Sequence, residues 1–144
     1  MSAERKYYPP NMFRICVDEN EGHVTGRTIS PLKKQETPFE DYAGMLLEMD
    51  KLFDSVGYPQ AFQKKRSFSE KKGNENSYRG IPDTVLAKED ILKQKGKKAT
   101  YDVLVVSRRN TTWQGQVFDE ENNRVGSFVG DVDLMEILNR LQNS

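Results

Sequence analysis

The chain has a single cysteine and a single histidine among its 144 residues. Cys16 cannot form a disulfide bond within the chain, which excludes a disulfide-stapled fold and a cysteine-rich zinc site. His23 is the only side chain able to exchange protons near neutral pH without a large pKa shift, and few other site residues accompany it. We therefore predict a protein that is not an enzyme and has no cofactor or metal.

Long apolar runs are also missing, since hydrophobic residues make up only 35% of the sequence. No segment approaches the roughly 20 apolar residues of a membrane span, and the first ten residues contain no signal-peptide core. Glycine-rich phosphate loops are absent, and the acidic turn at 18–22 lacks the glycine and glutamate positions of a calcium loop. These absences predict a cytoplasmic protein with no membrane partner.

The zero net charge hides an uneven distribution along the chain. Residues 64–98 contain 11 basic and 5 acidic side chains, whereas residues 1–63 contain 7 and 10, and residues 116–144 contain 2 and 6. A basic centre between acidic flanks affects which partners the protein can bind, and it gives no information about the fold.

An internal repeat is visible when the sequence is shifted by 89 residues without a gap. Residues 14–17 then fall on 103–106, Gly26 falls on Gly115, and Phe39 falls on Phe128. In the first copy, an amphipathic helix follows apolar strands at 13–17 and 23–30. In the second copy, an amphipathic helix follows apolar strands at 102–106 and 112–119. A third strand is predicted at 124–127, and the loop at 31–38 takes its place in the first copy. The first helix is expected to begin at Phe39 and the second to be capped by Asp131.

The predicted fold is a single α+β domain spanning residues 1–144. A first ββα unit covers 12–57, a charged linker with a short helix near 83–95 covers 58–100, and a second βββα unit covers 101–144. Because one helix on two or three strands is too small to be stable alone, the two pseudo-repeated ββ(β)α units should share one antiparallel sheet, with both helices on one face.

The second unit resembles a family of small uncharacterised bacterial proteins from Firmicutes. The resemblance rests on the strand motif at 112–115, which reads Thr-Trp-Gln-Gly, on Phe128, and on the leucine-rich helix that follows. The segment 49–68 has a similar character in that family. The resemblance implies an intracellular bacterial protein and brings no known activity.

Two sets of residues are candidate binding sites. Trp113, the only tryptophan, should share a strand face with Gly115 and Val117, where it is either part of the core or a stacking platform for a base or sugar. The second set could hold phosphates and stack on a base, and it consists of Lys64, Lys65, Arg66, Phe68, Lys71 and Lys72.

The function favoured by these patterns is that of a non-enzymatic interaction module. It would bind a partner protein, or a second copy of itself, through a sheet surface or through the edge of an exposed strand such as 23–30. The alternative is a nucleic-acid-binding protein that uses the basic segment 64–98.

Overall fold

The protein is an α+β fold, seen in a computed structural model that describes residues 8–57, 61–62, 84–109 and 112–142. Six antiparallel strands form one sheet in the order β3-β2-β1-β5-β6-β7, and the short β4 pairs in parallel with β5. The strands are β1 (Met12–Glu19), β2 (Thr25–Ser30), β3 (Lys33–Phe39), β4 (Ala61–Phe62), β5 (Ala99–Arg109), β6 (Thr112–Asp119) and β7 (Arg124–Val129). The described helices are α1 (Tyr42–Val56), α2 (Lys88–Leu92) and α3 (Asp131–Gln142). The predicted α+β class and antiparallel sheet are confirmed.

The main core lies between α1, α3 and one face of the sheet, here called the helix face. Every second residue of the central strands β1 and β5 points into it, because side chains alternate between the two faces of a strand. The buried members from these strands are Phe13, Ile15, Val17, Tyr101, Val103 and Val105. The two longer helices therefore cover the same face of the sheet.

The opposite face, here called the outer face, has a smaller core of its own. Met12, Cys16 and Ile29 are buried there beneath Ile91 of α2, and Leu86 and Leu92 pack beside them. Residues 84–98, the latter part of the predicted linker, thus pack on the outer face of the sheet. The five-residue α2 lies within 83–95, where a short helix was expected.

The prediction that the first helix begins at Phe39 is wrong. Phe39 is the last residue of β3, and α1 begins at Tyr42 after Asp41, whose carboxylate accepts a hydrogen bond from the Gly44 N–H at 2.6 Å. An N-cap carboxylate of this kind satisfies a backbone donor that the first turn leaves unpaired. The segment expected as a loop is therefore a strand, and the first half reads βββα, in the same order as the second.

The ungapped 89-residue alignment does not hold in the first strand of each half. Val17 pairs with Gly26, and Val105, rather than Val106, pairs with Gly115. The strands β1 and β5 therefore correspond at a shift of 88 residues, and a one-residue slip reverses which side chains face the core. A duplication of one ancestral unit stays a prediction.

One local arrangement occurs in both halves. Gly115 pairs with Phe128 across β6 and β7, and Gly26 pairs with Phe39 across β2 and β3. A Cβ atom on Gly115 would lie 1.9 Å from the carbonyl oxygen of Leu104 and 2.9 Å from the Phe128 ring. Only glycine fits beneath an aromatic ring that lies this close to the backbone.

Candidate interaction surfaces

Trp113 lies in the main core and leaves only 2% of its surface exposed. Its ring makes edge contacts with Phe13 and Phe53 at centroid distances of 6.1 and 5.7 Å. The indole Nε1 donates a hydrogen bond to Asp50 Oδ1 at 3.0 Å, which satisfies its one polar atom. Of the two sequence-based interpretations of Trp113, the structure places the side chain in the core, with no open ring face for stacking.

Arg108 is a buried residue that the sequence analysis did not single out. It leaves 2% of its surface exposed, and its guanidinium lies over the Phe53 ring, 5.6 Å from the centroid. Its Nη1 atom contacts the carboxylates of Asp50 and Asp54 on α1, both at 2.9 Å. These ion pairs link β5 to α1. Asp50 and Asp54 are four residues apart and therefore lie on one face of the helix, and this spacing is the sequence signal that could have revealed the ion pairs.

The outer face is covered over β1, β2 and part of β5 by residues 84–98. Arg14 donates two hydrogen bonds to Asp102, both at 2.9 Å, and two more to the backbone carbonyls of Leu92 and Gln94, both at 3.1 Å. Residues 84–98 therefore cover the middle of the sheet surface that was predicted to bind a partner.

The outer face over β5, β6 and β7 carries two exposed valines. Ser107 pairs with Gln114, which pairs in turn with Val129, and the neighbouring row runs through Gln116 to Ser127. Val129 is 67% exposed, and Val106, the residue skipped at the β5 bulge, is 57% exposed. We call this patch, together with the free side of β7, the β7 surface; it consists of Val106, Gln114, Gln116, Ser127 and Val129.

The prediction that the strand at 23–30 offers a free edge is wrong. Its structured part is β2, which lies between β1 and β3 and is paired on both sides. Within the described residues the ends of the sheet order are β3 and β7. Because residues 33–39 form a third strand, the edge of the sheet on this side is β3 and not β2.

The predicted basic residues do not enter the described structure. Residues 63–83 lie outside it, and these include all six members of the set from Lys64 to Lys72. Within residues 84–98, Lys93 pairs with Asp90 at 3.5 Å and Lys95 pairs with Glu120. Within the described residues, part of the positive charge of segment 64–98 is therefore balanced by neighbouring carboxylates.

Cys16 and His23, the two reactive side chains considered in the sequence, lie in different environments. Cys16 is fully buried, and burial raises the pKa of its thiol to about 11. His23 is exposed in the turn between β1 and β2. Within the ranges described above, no group of three or more His, Cys, Asp or Glu side chains could hold a metal ion. No helix in those ranges is long and apolar enough to cross a membrane.

Comparison with known proteins adds no relative. No protein-family model, no curated protein and no solved structure matches the chain. The resemblance to the Firmicutes proteins stays a prediction, and the function has to be argued from the surfaces themselves.

Proposed function

We propose that the protein is a non-enzymatic interaction module, built from two pseudo-repeated βββα units, that binds a partner protein through the β7 surface. One observation carries the proposal. Two valines are more than half exposed on the part of the outer face that the described residues leave uncovered: Val129 on the edge strand β7, and Val106 two strands away on β5. Exposed apolar side chains beside an open sheet edge are typical of surfaces that add a strand from another chain.

The two edges of the sheet differ in a way that favours β7. The edge strand β3 carries Lys33, Lys34 and Glu36, and it contains Pro38, which cannot donate a backbone hydrogen bond. Charges and proline on an edge are the usual protection against unwanted strand pairing. The sequence of β7, Arg-Val-Gly-Ser-Phe-Val, has one charge and no proline, so its protection is much weaker.

One contact limits how much of β7 is open. The Val129 N–H donates to the Asp133 carboxylate at 2.9 Å, so the C-terminal end of the edge is already paired within the chain. The pairing surface offered to a partner is therefore the part of β7 before Val129, and the Val129 side chain supplies an apolar contact beside it. A short strand of the partner is enough to fill this space.

Nucleic-acid binding through residues 64–98 is the alternative proposal. Two of the described lysines of that segment give it little support, because Lys93 and Lys95 pair with carboxylates. Filter binding of single-stranded and duplex nucleic acids at two salt concentrations tests it, since contacts with phosphates produce a steep salt dependence. A steep dependence would favour this alternative over the β7 surface.

The proposed function is tested by single substitutions that add a charge on each edge. Val129→Lys and Val106→Lys place a charge in the β7 surface, and Gln35→Lys on β3 is the matched control. Captured proteins from a native lysate of the source organism are compared among these variants. A partner that binds the native protein and the Gln35→Lys control, but neither β7 variant, supports the proposal. A partner that binds all variants equally, or none above background, contradicts it.

A further inference from the structure

A concave surface lies on the helix face of the sheet, whereas the β7 surface lies on the outer face. It is a groove of about 290 Å³ between α1 and the beginning of α3, and we call it the α1–α3 groove. Its lining consists of Ala43, Leu46, Leu47, Asp50, Trp113, Asp131 and Met135. This volume is just below the roughly 300–1,000 Å³ typical of small-molecule sites, so it fits one or two side chains better than a cofactor.

The walls of the groove are apolar and partly open to solvent. Leu47 on α1 is 57% exposed, whereas Leu46 and Met49 on the same helix are buried in the core. Met135 of α3 is half-buried against the same core. An exposed leucine at the rim of a groove is positioned to contact an apolar group of an incoming chain.

The charge of the groove is negative. Asp50 and Asp131 both line it, and Asp50 is already hydrogen-bonded to Arg108 and Trp113 through a single oxygen, Oδ1. Although Asp131 is largely exposed, partial desolvation of its carboxyl raises its pKa above the ordinary value, and the negative charge of Asp50 raises it further. None of the described residues forms an ion pair with Asp131, and the Arg108 guanidinium that contacts Asp50 also contacts Asp54.

We propose that the α1–α3 groove binds a partner peptide that presents an arginine next to an apolar residue. The guanidinium would lie between the carboxylates of Asp50 and Asp131, and the apolar side chain would pack on Leu47 and Met135. Arginine fits this arrangement because its planar group can donate to two carboxylates at once, while its carbon stem packs on apolar walls. The inference does not depend on the β7 surface, since the two sites share no residue.

The protein contains its own reporter, because its only tryptophan lies in the groove lining. Trp113 emission is titrated with an acetylated and amidated Leu-Arg-Leu peptide and with the matched Leu-citrulline-Leu peptide, in which a neutral group replaces the guanidinium. Calorimetry of the same mixtures detects binding that leaves the emission unchanged. The arginine peptide should bind about tenfold more tightly than the citrulline peptide, as expected for loss of a charge-assisted contact.

Substitutions in the groove should separate the charged contact from the apolar one. Asp131→Asn should weaken the arginine peptide about tenfold and leave the citrulline peptide unchanged, whereas Leu47→Ser should weaken both. Glu48→Gln on α1 and Val132→Ser on α3 alter exposed residues outside the groove lining and should bind as the native protein does.

Three results would overturn the proposal. These are equal affinity for the arginine and citrulline peptides, native affinity in the Asp131→Asn variant, and the absence of calorimetric binding at about 1 mM peptide. Because Leu47 and Asp131 are exposed, both variants should keep their fold, and the circular dichroism spectrum of each is compared with that of the native protein. If one variant unfolds, the other and the citrulline peptide still decide the question.

Discussion

Arg14 and Asp102 face each other directly across the two central strands, β1 and β5, and form a buried two-point ion pair. The Tyr8 hydroxyl donates a third hydrogen bond to Asp102 at 2.6 Å. Burial alone would lower the pKa of Arg14, but hydrogen bonding to Asp102 and the charge of Asp102 raise it above its ordinary value. Because Arg14 also bonds the backbone of residues 92 and 94, this pair fixes the segment that covers the outer face.

Removing one partner of this pair should destabilise the protein strongly. Arg14→Met leaves the Asp102 carboxylate buried without its cation, and we expect the free energy of unfolding to fall by about 3–5 kcal/mol. The double variant with Asp102→Leu should recover a large part of the loss, since no uncompensated charge remains. Urea denaturation measures both variants. A double variant as unstable as the single one would show that the loss comes from packing rather than from the buried charge.

Hydrogen exchange follows the covering segment in the same variants. Backbone amides of residues 88–98 should exchange faster in Arg14→Met than in the native protein, while amides of β6 keep their protection relative to the global stability. Unchanged relative protection of residues 88–98 would mean that apolar packing of Ile91 is sufficient to hold the segment.

Trp113 should contribute to stability through its size and, to a lesser extent, through its N–H group. Trp113→Ala removes a fully packed ring, and the expected cost is about 3–5 kcal/mol. Trp113→Phe keeps an aromatic ring in the cluster with Phe13 and Phe53 but loses the bond to Asp50, and should cost about 2 kcal/mol. Thermal and urea denaturation check the order. Equal losses in the two variants would assign the effect to the hydrogen bond alone.

Tyr42 carries a buried hydroxyl with no hydrogen-bond partner among the described residues. Burial raises the pKa of this tyrosine above its ordinary value, and the neighbouring Tyr101 adds to the shift. Tyr42→Phe removes an unsatisfied polar group without changing the ring, so we expect stability to rise by about 1 kcal/mol. A loss of stability measured by urea denaturation would show that the hydroxyl makes a contact that the structure does not reveal.

Cys16 should make the free energy of unfolding depend on pH in the alkaline range. Burial raises the pKa of its thiol from 9.0 to about 11, so the unfolded chain ionises first as the pH rises. The contribution of the neutral thiol is therefore present in full below pH 9 and is lost as the pH approaches 11. The stability difference between the native protein and Cys16→Ala should narrow between pH 9 and 10, below the ordinary pKa of tyrosine. A constant difference across this interval would contradict the shift.

Thiol labelling provides an independent check on Cys16. At pH 8 a disulfide reagent should react with the folded protein far more slowly than with the protein in denaturant, because the thiol is buried and neutral. Comparable rates in the two conditions would place Cys16 at an accessible position.

The sequence was sufficient for β1, β2, β5, β6 and β7 and for the helix-face core, whereas β3 was expected as a loop. Alternation of apolar and polar residues placed Trp113, Gly115 and Val117 on one face of β6, and the structure confirms this pattern of burial. The amphipathic helix predicted in the first copy is likewise present as α1, whose buried side includes Leu46, Met49 and Phe53. These signals survive because burial of one face imposes a regular period on the sequence.

The Arg14–Asp102 ion pair could not be predicted in the same way. Arg14 and Asp102 are 88 positions apart, and charged residues in strands are expected at the surface unless a partner is known. Phe39 was misassigned because its spacing continues the apolar stripe of α1, although a capping aspartate follows two positions later. The covering role of residues 84–98 was missed because its apolar residues are only loosely periodic, and a five-residue helix leaves a weak pattern.

The central claim, that the β7 surface binds a partner protein, is tested most directly by site-specific photo-crosslinking. A photoreactive amino acid is placed at Val129 in one protein and at Gln35 on β3 in another, and each is irradiated in native lysate. We predict one discrete cross-linked species from position 129 that disappears when Val106→Lys is added, and no such species from position 35. The same species from both positions, or one that persists in the Val106→Lys protein, would contradict the account.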